Sequence, residues 1–169
     1  ALAEVRRVAE EAALAEARRK AEEEAMKVLE EARQKKDIDV ILAVMAQHRD
    51  STEVQEKGCD ALGNVACNNA ANARTIAEKG GIDIILTAMQ QHPGSTEVQQ
   101  QGCYALGNVA ANNAAIRRTI AEKGGIEAVF HAMTQHSHPT ETTTKQTHNN
   151  TLRTHSRIRE LRTGNRPNL

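Results

Sequence analysis

At 169 residues the chain is long enough for one ordinary domain. Its 22 basic side chains balance 22 acidic ones only in total: residues 37–136 carry seven basic against eleven acidic, and residues 137–169 six against two. Tyr104 and Phe130 are the whole Phe, Trp and Tyr content, so a core must be built from Ile, Leu, Val, Met and Ala, which suits packed helices. No long apolar run and no secretory signal is visible, which argues against a membrane span, and three cysteines point to a reducing, cytoplasmic setting rather than a disulfide framework.

Residues 1–36 predict a single long helix, since they contain no Gly or Pro and 28 of the 36 are Ala, Glu, Lys or Arg. Glu16 with Lys20, Glu23 with Lys27 and Glu31 with Lys35 lie one turn apart in the favourable order, each pair contributing roughly 0.2–0.5 kcal/mol. The apolar side is thin, with Val5, Val8, Ala12 and Ala15 in one stripe and Ala21, Ala25, Val28 and Ala32 in another. So little apolar area does not hold a helix in water without a partner surface, which the rest of the chain, a second chain or both could supply. The even blend of strong helix formers is also what helix-design rules prescribe, and it gives the segment the look of an engineered addition.

From residue 38 the chain repeats itself. Residues 38–81 laid over 82–125 give 32 identities in 44 positions, and a fixed period of this length implies a stacked array of the kind that binds more often than it catalyses. Ile82, Ile85, Leu86 and Met89 are spaced i, i+3, i+4, i+7 and predict a short helix ending near Gln91-His92. Pro93-Gly94-Ser95 reads as a turn. Thr96 with Gln99, like Thr52 with Gln55, fits a capping box that opens a second helix with Val98, Cys103, Leu106 and Val109 or Ala110 inward. Asn112-Asn113 break and recap the chain before a third helix with Ile116 and Ile120 inward, and the pairs Gly80-Gly81 and Gly124-Gly125 end that helix.

After the long helix the matching place is held by Lys36-Asp37, with Ala32 in register with Ile76 and Ile120. The end of the 1–36 helix therefore stands where a repeat's first helix belongs, the pattern of a helix spliced onto a truncated array. Residues 37–136 hold the repeats, and their third unit offers one helix, from Ile126 to His136. At the same offset the next helix begins Pro139-Thr140-Glu141-Thr142, with threonine where valine anchors the core, so residues 137–169 read as a weakly ordered Thr- and Arg-rich tail, free or docked on the array or a neighbour. An end helix left uncovered by the tail leads to self-association, and a homo-oligomer is expected.

These residues resemble the armadillo repeat: the period of 44 falls in that family's range of about 40–47, and the order is similar, a helix ending in Gly-Gly, a short helix opening Ile82-Asp83-Ile84-Ile85-Leu86, and a longer helix carrying Ala105-Leu106-Gly107-Asn108-Val109-Ala110. The resemblance implies an all-α fold, an armadillo-like right-handed superhelix of three-helix repeats preceded by the long helix. In that family the longest helix of each repeat lines a concave groove, and an asparagine near its end holds the backbone of an extended peptide. Asn64 and Asn108 fall on that position, and the family's aromatic partner four residues earlier is Asp60 in one unit and Tyr104 in the next. Spacing independently aligns Glu97, Gln101, Tyr104 and Asn108 on one helix face, as it does Glu53, Lys57, Asp60 and Asn64. Such a row either hydrogen-bonds an extended peptide or protein partner or is a solvated face.

His48, His92 and His136 recur at one repeat position, a helix end, where an imidazole meets free carbonyls. The histidines between 131 and 155 lack metal-site spacing, and no phosphate loop or activated nucleophile can be placed. Cys59 and Cys103, one repeat apart, are too distant for a disulfide. Catalysis, metals and cofactors are therefore not expected. The arginines between 153 and 166 could touch phosphate, but without stacking aromatics they argue against nucleic acid as a partner. Two functions stay open: a self-associating helical scaffold of engineered appearance, and a peptide-binding module resting on Asn64, Asn108, Tyr104, Glu97, Gln101 and Asp60.

Overall fold

A computed structural model describes residues 2–136. The expectations for the Thr- and Arg-rich tail lie outside the described residues. These form α1 (Leu2–Lys35), α2 (Ile38–Gln47), α3 (Thr52–Ala66), α4 (Ala70–Glu78), α5 (Gly81–Gln91), α6 (Thr96–Ala110), α7 (Ala114–Glu122) and α8 (Gly125–His136). The period of the sequence becomes a stack of units, α2–α4 and then α5–α7, with α8 opening the next, and the long helices α3 and α6 lie against each other. The protein is an all-α repeat solenoid. Its core is aliphatic, with Ile41, Met45, Val54, Leu62, Ile76, Ile82, Ile85, Val98 and Val109 all buried.

The starts of α3 and α6 differ from the predicted capping boxes. The caps are Ser51 and Ser95, whose hydroxyls accept from Val54 and Val98 amides at 3.5 and 3.2 Å. The glutamines turn the other way. Gln55 Nε2 donates to the carbonyls of Met45 and His48, both at 2.9 Å, and Gln99 Nε2 to those of Met89 and His92 at 2.8 and 3.1 Å. Both amides are buried. The last turn of a helix has carbonyls with no partner of its own, and a buried donor that satisfies two of them locks the short helix to the long one. Asn69 and Asn113 cap α4 and α7, each after an asparagine in the left-handed region, Asn68 at φ 51° and Asn112 at φ 55°.

The glycine pairs divide their labour. Gly80 and Gly124 take φ of 79° and 81°, the left-handed turn that only glycine adopts without strain. Gly81 and Gly125 let the chain pass close to the preceding helix, since a Cβ on either would collide with Ile76 or Ile120. After α1 the same turn is made by Lys36 at φ 57°, and Asp37 caps α2 through a 3.2 Å bond from the Val40 amide to Oδ1. Asp37 has a Cβ where Gly81 has none, and Ala32, 44 residues before Ile76, has no branched methyl to meet it.

α1 divides into two parts. Ala25, Leu29 and Ala32 are buried against α2 and α3, with Val28 half-buried; Leu29, outside both predicted stripes, is the largest of these side chains. From Leu2 to Ala21 every side chain is exposed, and the stripe of Val5, Val8, Ala12 and Ala15 meets solvent. The expected pairs form, Lys20 to Glu16 at 3.4 Å, Lys27 to Glu23 at 3.6 Å and Lys35 to Glu31 at 3.2 Å, all exposed. Such pairs hold the helix together without placing it.

Lys36→Gly is expected to raise stability by about 1 kcal/mol in urea unfolding, because the left-handed backbone costs a lysine what glycine avoids. Gln99→Leu is expected to lower it by about 2 kcal/mol, since a buried and a half-buried carbonyl lose their donor.

Candidate protein-binding face

The row on α3 and α6 is built by the contact of these two helices. On α3, Asn64 Nδ2 donates to the carbonyl and to Oδ1 of Asp60, at 2.8 and 2.9 Å. From α6, the ring of Tyr104 lies over Gly63, where any Cβ would strike it, and its hydroxyl reaches Asn64 Oδ1 at 3.4 Å. Asp60, Asn64 and Tyr104 thus form one cluster across two units. Arg33 of α1 and Lys57 approach the same carboxylate. The Arg33 guanidinium is held above its usual pKa by its bond to Glu30, with a smaller contribution from Asp60, and the Lys57 ammonium by Glu56 first and Asp60 after it. Met26, Leu29, Arg33, Lys57, Asp60 and Ala61 line a groove of about 130 Å³ there.

Asn108 stands apart from that cluster. Its Nδ2 is buried and has no hydrogen-bond partner among the described residues. Tyr104 occupies the position four residues before it, where Asp60 precedes Asn64, so no carboxylate is offered. The neighbouring Gly107 is exposed, with open space where a Cβ would be, in contrast to Gly63 beneath Tyr104. Gln101 is half-buried on the same helix, and Glu97 Oε2 accepts from the Ser95 hydroxyl at 3.2 Å, which turns it to the helix start. Sequence spacing named the row but missed Arg33, and Gly63 and Gly107, at matching positions of the repeat, differ in use, one in close contact and the other with exposed backbone. Glycine inside a helix was the available signal, and only the neighbour across the unit shows which of the two holds.

His48 and His92 are the C-caps of α2 and α5 through their backbone N–H groups, while the ring of His92 reaches beyond its own helix. His92 Nε2 donates to the Arg49 carbonyl at 2.7 Å, which leaves Nδ1 to accept from the Thr52 hydroxyl at 3.0 Å, so the ring ties α5 to the turn before α3. Burial pushes the Cys59 thiol up to about 12 and the Cys103 thiol upward, so neither is a nucleophile at neutral pH. Cys67 is exposed, and all three are free. Among the described residues no His, Cys, Asp and Glu group could hold a metal ion, and no helix is long and apolar enough to cross a membrane.

Three-helix units stacked long helix on long helix, with a glycine turn between them, define an armadillo-type repeat protein. The model of the family described as LRRK2 ARM repeat matches residues 2–152, and the chain belongs to that family. No curated protein and no solved structure matches it.

Asn64→Ala and Asn108→Ala are expected to differ by about 1 kcal/mol in unfolding free energy, Asn108→Ala being the more stable. The first removes satisfied hydrogen bonds and the second an unsatisfied donor, while the gain in helix propensity is common to both. Paired urea titrations measure that difference.

Proposed function

We propose that the chain is a non-catalytic helical scaffold that works through protein contacts, a second copy of itself included. The observation that carries this is the outer face of α8. Ile126, Phe130 and Met133 are 65, 68 and 65% exposed, whereas Ile82, Leu86 and Met89, one repeat earlier, are 1, 4 and 3% exposed. A stripe that the repeat pattern buries stands open, and an apolar patch of this kind marks an interaction surface. The armadillo-type repeat fold, which is generally non-catalytic, supports a role without chemistry. The designed look of α1 and the Lys36-Asp37 junction support a joined helix whose end serves as the first repeat helix. The family match, which begins at residue 2, supports counting that helix with the array.

A second reading is favoured by Asn108. A buried amide donor without an acceptor, beside the open backbone at Gly107, is suited to the carbonyl of an extended peptide, with Tyr104 as its neighbour and Gln101 and Glu97 along the row. Asn64 fits this role less well, because Asp60 already holds its amide.

Light scattering of the full chain is expected to give a mass that rises with concentration, and Phe130→Glu to reduce it to the monomer. Because Phe130 is exposed, that substitution leaves the fold intact. A wild type that stays monomeric would leave only the peptide reading.

A further inference from the structure

We infer that the open face of α8 receives the free first half of α1 from a second copy, so that copies join head to tail. This rests on the reading of α8 as an association face and goes on to name the partner surface. In the preceding unit the cover of the equivalent stripe is α6, a 15-residue helix that brings Gly102 against Met89. The element without a counterpart over α8 among the described residues is therefore a helix of about 22 Å. The chain's next residues in the register of α6 do not supply an apolar one: Thr142, Gln146, Asn149, Asn150 and Arg153 replace Val98, Gly102, Ala105, Leu106 and Val109.

Among the described residues, the other unpartnered apolar stretch is Leu2–Ala21 of α1, roughly 30 Å long against roughly 18 Å for α8. Leu2, Val5, Val8 and Leu14 are 89, 67, 54 and 72% exposed. Of the eight large apolar side chains left exposed among the described residues, seven lie on these two segments. The small residues match as well. Val5 laid on Val98 puts Ala9, Ala12 and Ala13 on Gly102, Ala105 and Leu106; because a Cβ at Gly102 would strike Met89, the exposed and flexible Met133 side chain turns aside for Ala9.

Size selects this arrangement over a symmetric pair of α8 helices. Three side chains about two-thirds exposed offer on the order of 400 Å², half of what a stable interface takes from each partner. A helix longer than α8 can run past it onto adjoining surface, and each copy then satisfies both of its open faces. The contact joins different patches of the two copies, so association need not stop at two.

The test uses full-length variants in sedimentation velocity, with circular dichroism as the check on folding. Wild type is expected to grow beyond a dimer as concentration rises. Val5→Glu with Ala12→Glu, and separately Phe130→Glu, change exposed positions, and each alone is expected to be monomeric, its association weakened about tenfold or more. An equal mixture of the two is expected to form a dimer that grows no further, because each retains the face the other lacks. Self-association of the Phe130→Glu variant alone would overturn the inference, as would a mixture that stays monomeric. An α1 variant that still self-associates would overturn the head-to-tail pairing while leaving α8 as the association face, and a monomeric wild type would overturn both.

Discussion

The bond from one buried glutamine amide to two carbonyls is the constraint on which the repeat depends. Met89 lies at the end of α5, and the residue that would continue its helical hydrogen bond is Pro93, which has no N–H; Gln99 supplies the donor instead. Gln55 does the same for Met45 one unit earlier. Each glutamine sits in the first turn of a long helix, so the bond fixes the angle between the short and long helices of its unit. The same angle twice gives the same step between units, and contacts at a constant separation follow from it. Lys79 meets Asp39 at 2.6 Å, Lys123 meets Asp83 at 2.7 Å, Tyr104 meets Asn64 and His92 meets Thr52, each pair 40 residues apart. The two ion pairs are exposed and add little stability. They follow the register that the buried amides set.

The same steric logic explains how α1 enters the array. In the two later junctions a branched isoleucine leans on a glycine, Ile76 on Gly81 and Ile120 on Gly125. At the first junction the sizes are exchanged, with Ala32 opposite Asp37. The added Cβ is accommodated because Asp37 takes the extended backbone of a helix cap, φ −83° and ψ 91°, where Gly81 is already helical, and its carboxylate then caps α2. What remains uncompensated is Lys36, which keeps the left-handed backbone of Gly80 without glycine's freedom.

Much of this could be read from residue types, because a repeat states its own boundaries twice. Element order, helix lengths, the turn at Gly80 and the recapping at Asn113 are local, and local chemistry decides them. Two errors share one cause. Gln55 and Gln99 fit a capping box by spacing, but a buried carbonyl on the previous helix competes for the amide, and that acceptor is a matter of tertiary placement. The stripe chosen for α1 omitted Leu29, since alanine-rich helices offer several weak stripes and only the partner surface selects one. The candidate face was legible as a row, but its division was not. Whether a given asparagine is held or left free depends on Asp60 in one unit and Tyr104 in the other, together with the neighbour that crosses the boundary.

Among the described residues, one group of open features lies where a following unit would stack. Gly63 is covered by Tyr104, and Ile82, Leu86 and Met89 by α6; in both cases the cover comes from the unit or helix further along the stack. At the last described unit the corresponding positions, Gly107 with Asn108 beside it and Ile126, Phe130 and Met133, have no such cover among the described residues. A solenoid contacts only its neighbours, so removing one neighbour leaves the rest of the stack intact and exposes a surface already shaped to receive a helix. The other exposed surface, the first half of α1, touches the array through Arg18, whose guanidinium donates to the Asp50 carbonyl at 3.5 Å, while its alanines and scattered valines meet solvent. Armadillo repeats generally bind proteins or peptides, and the forces that stack one unit on the next are available, at the last described unit, to a helix or strand presented there.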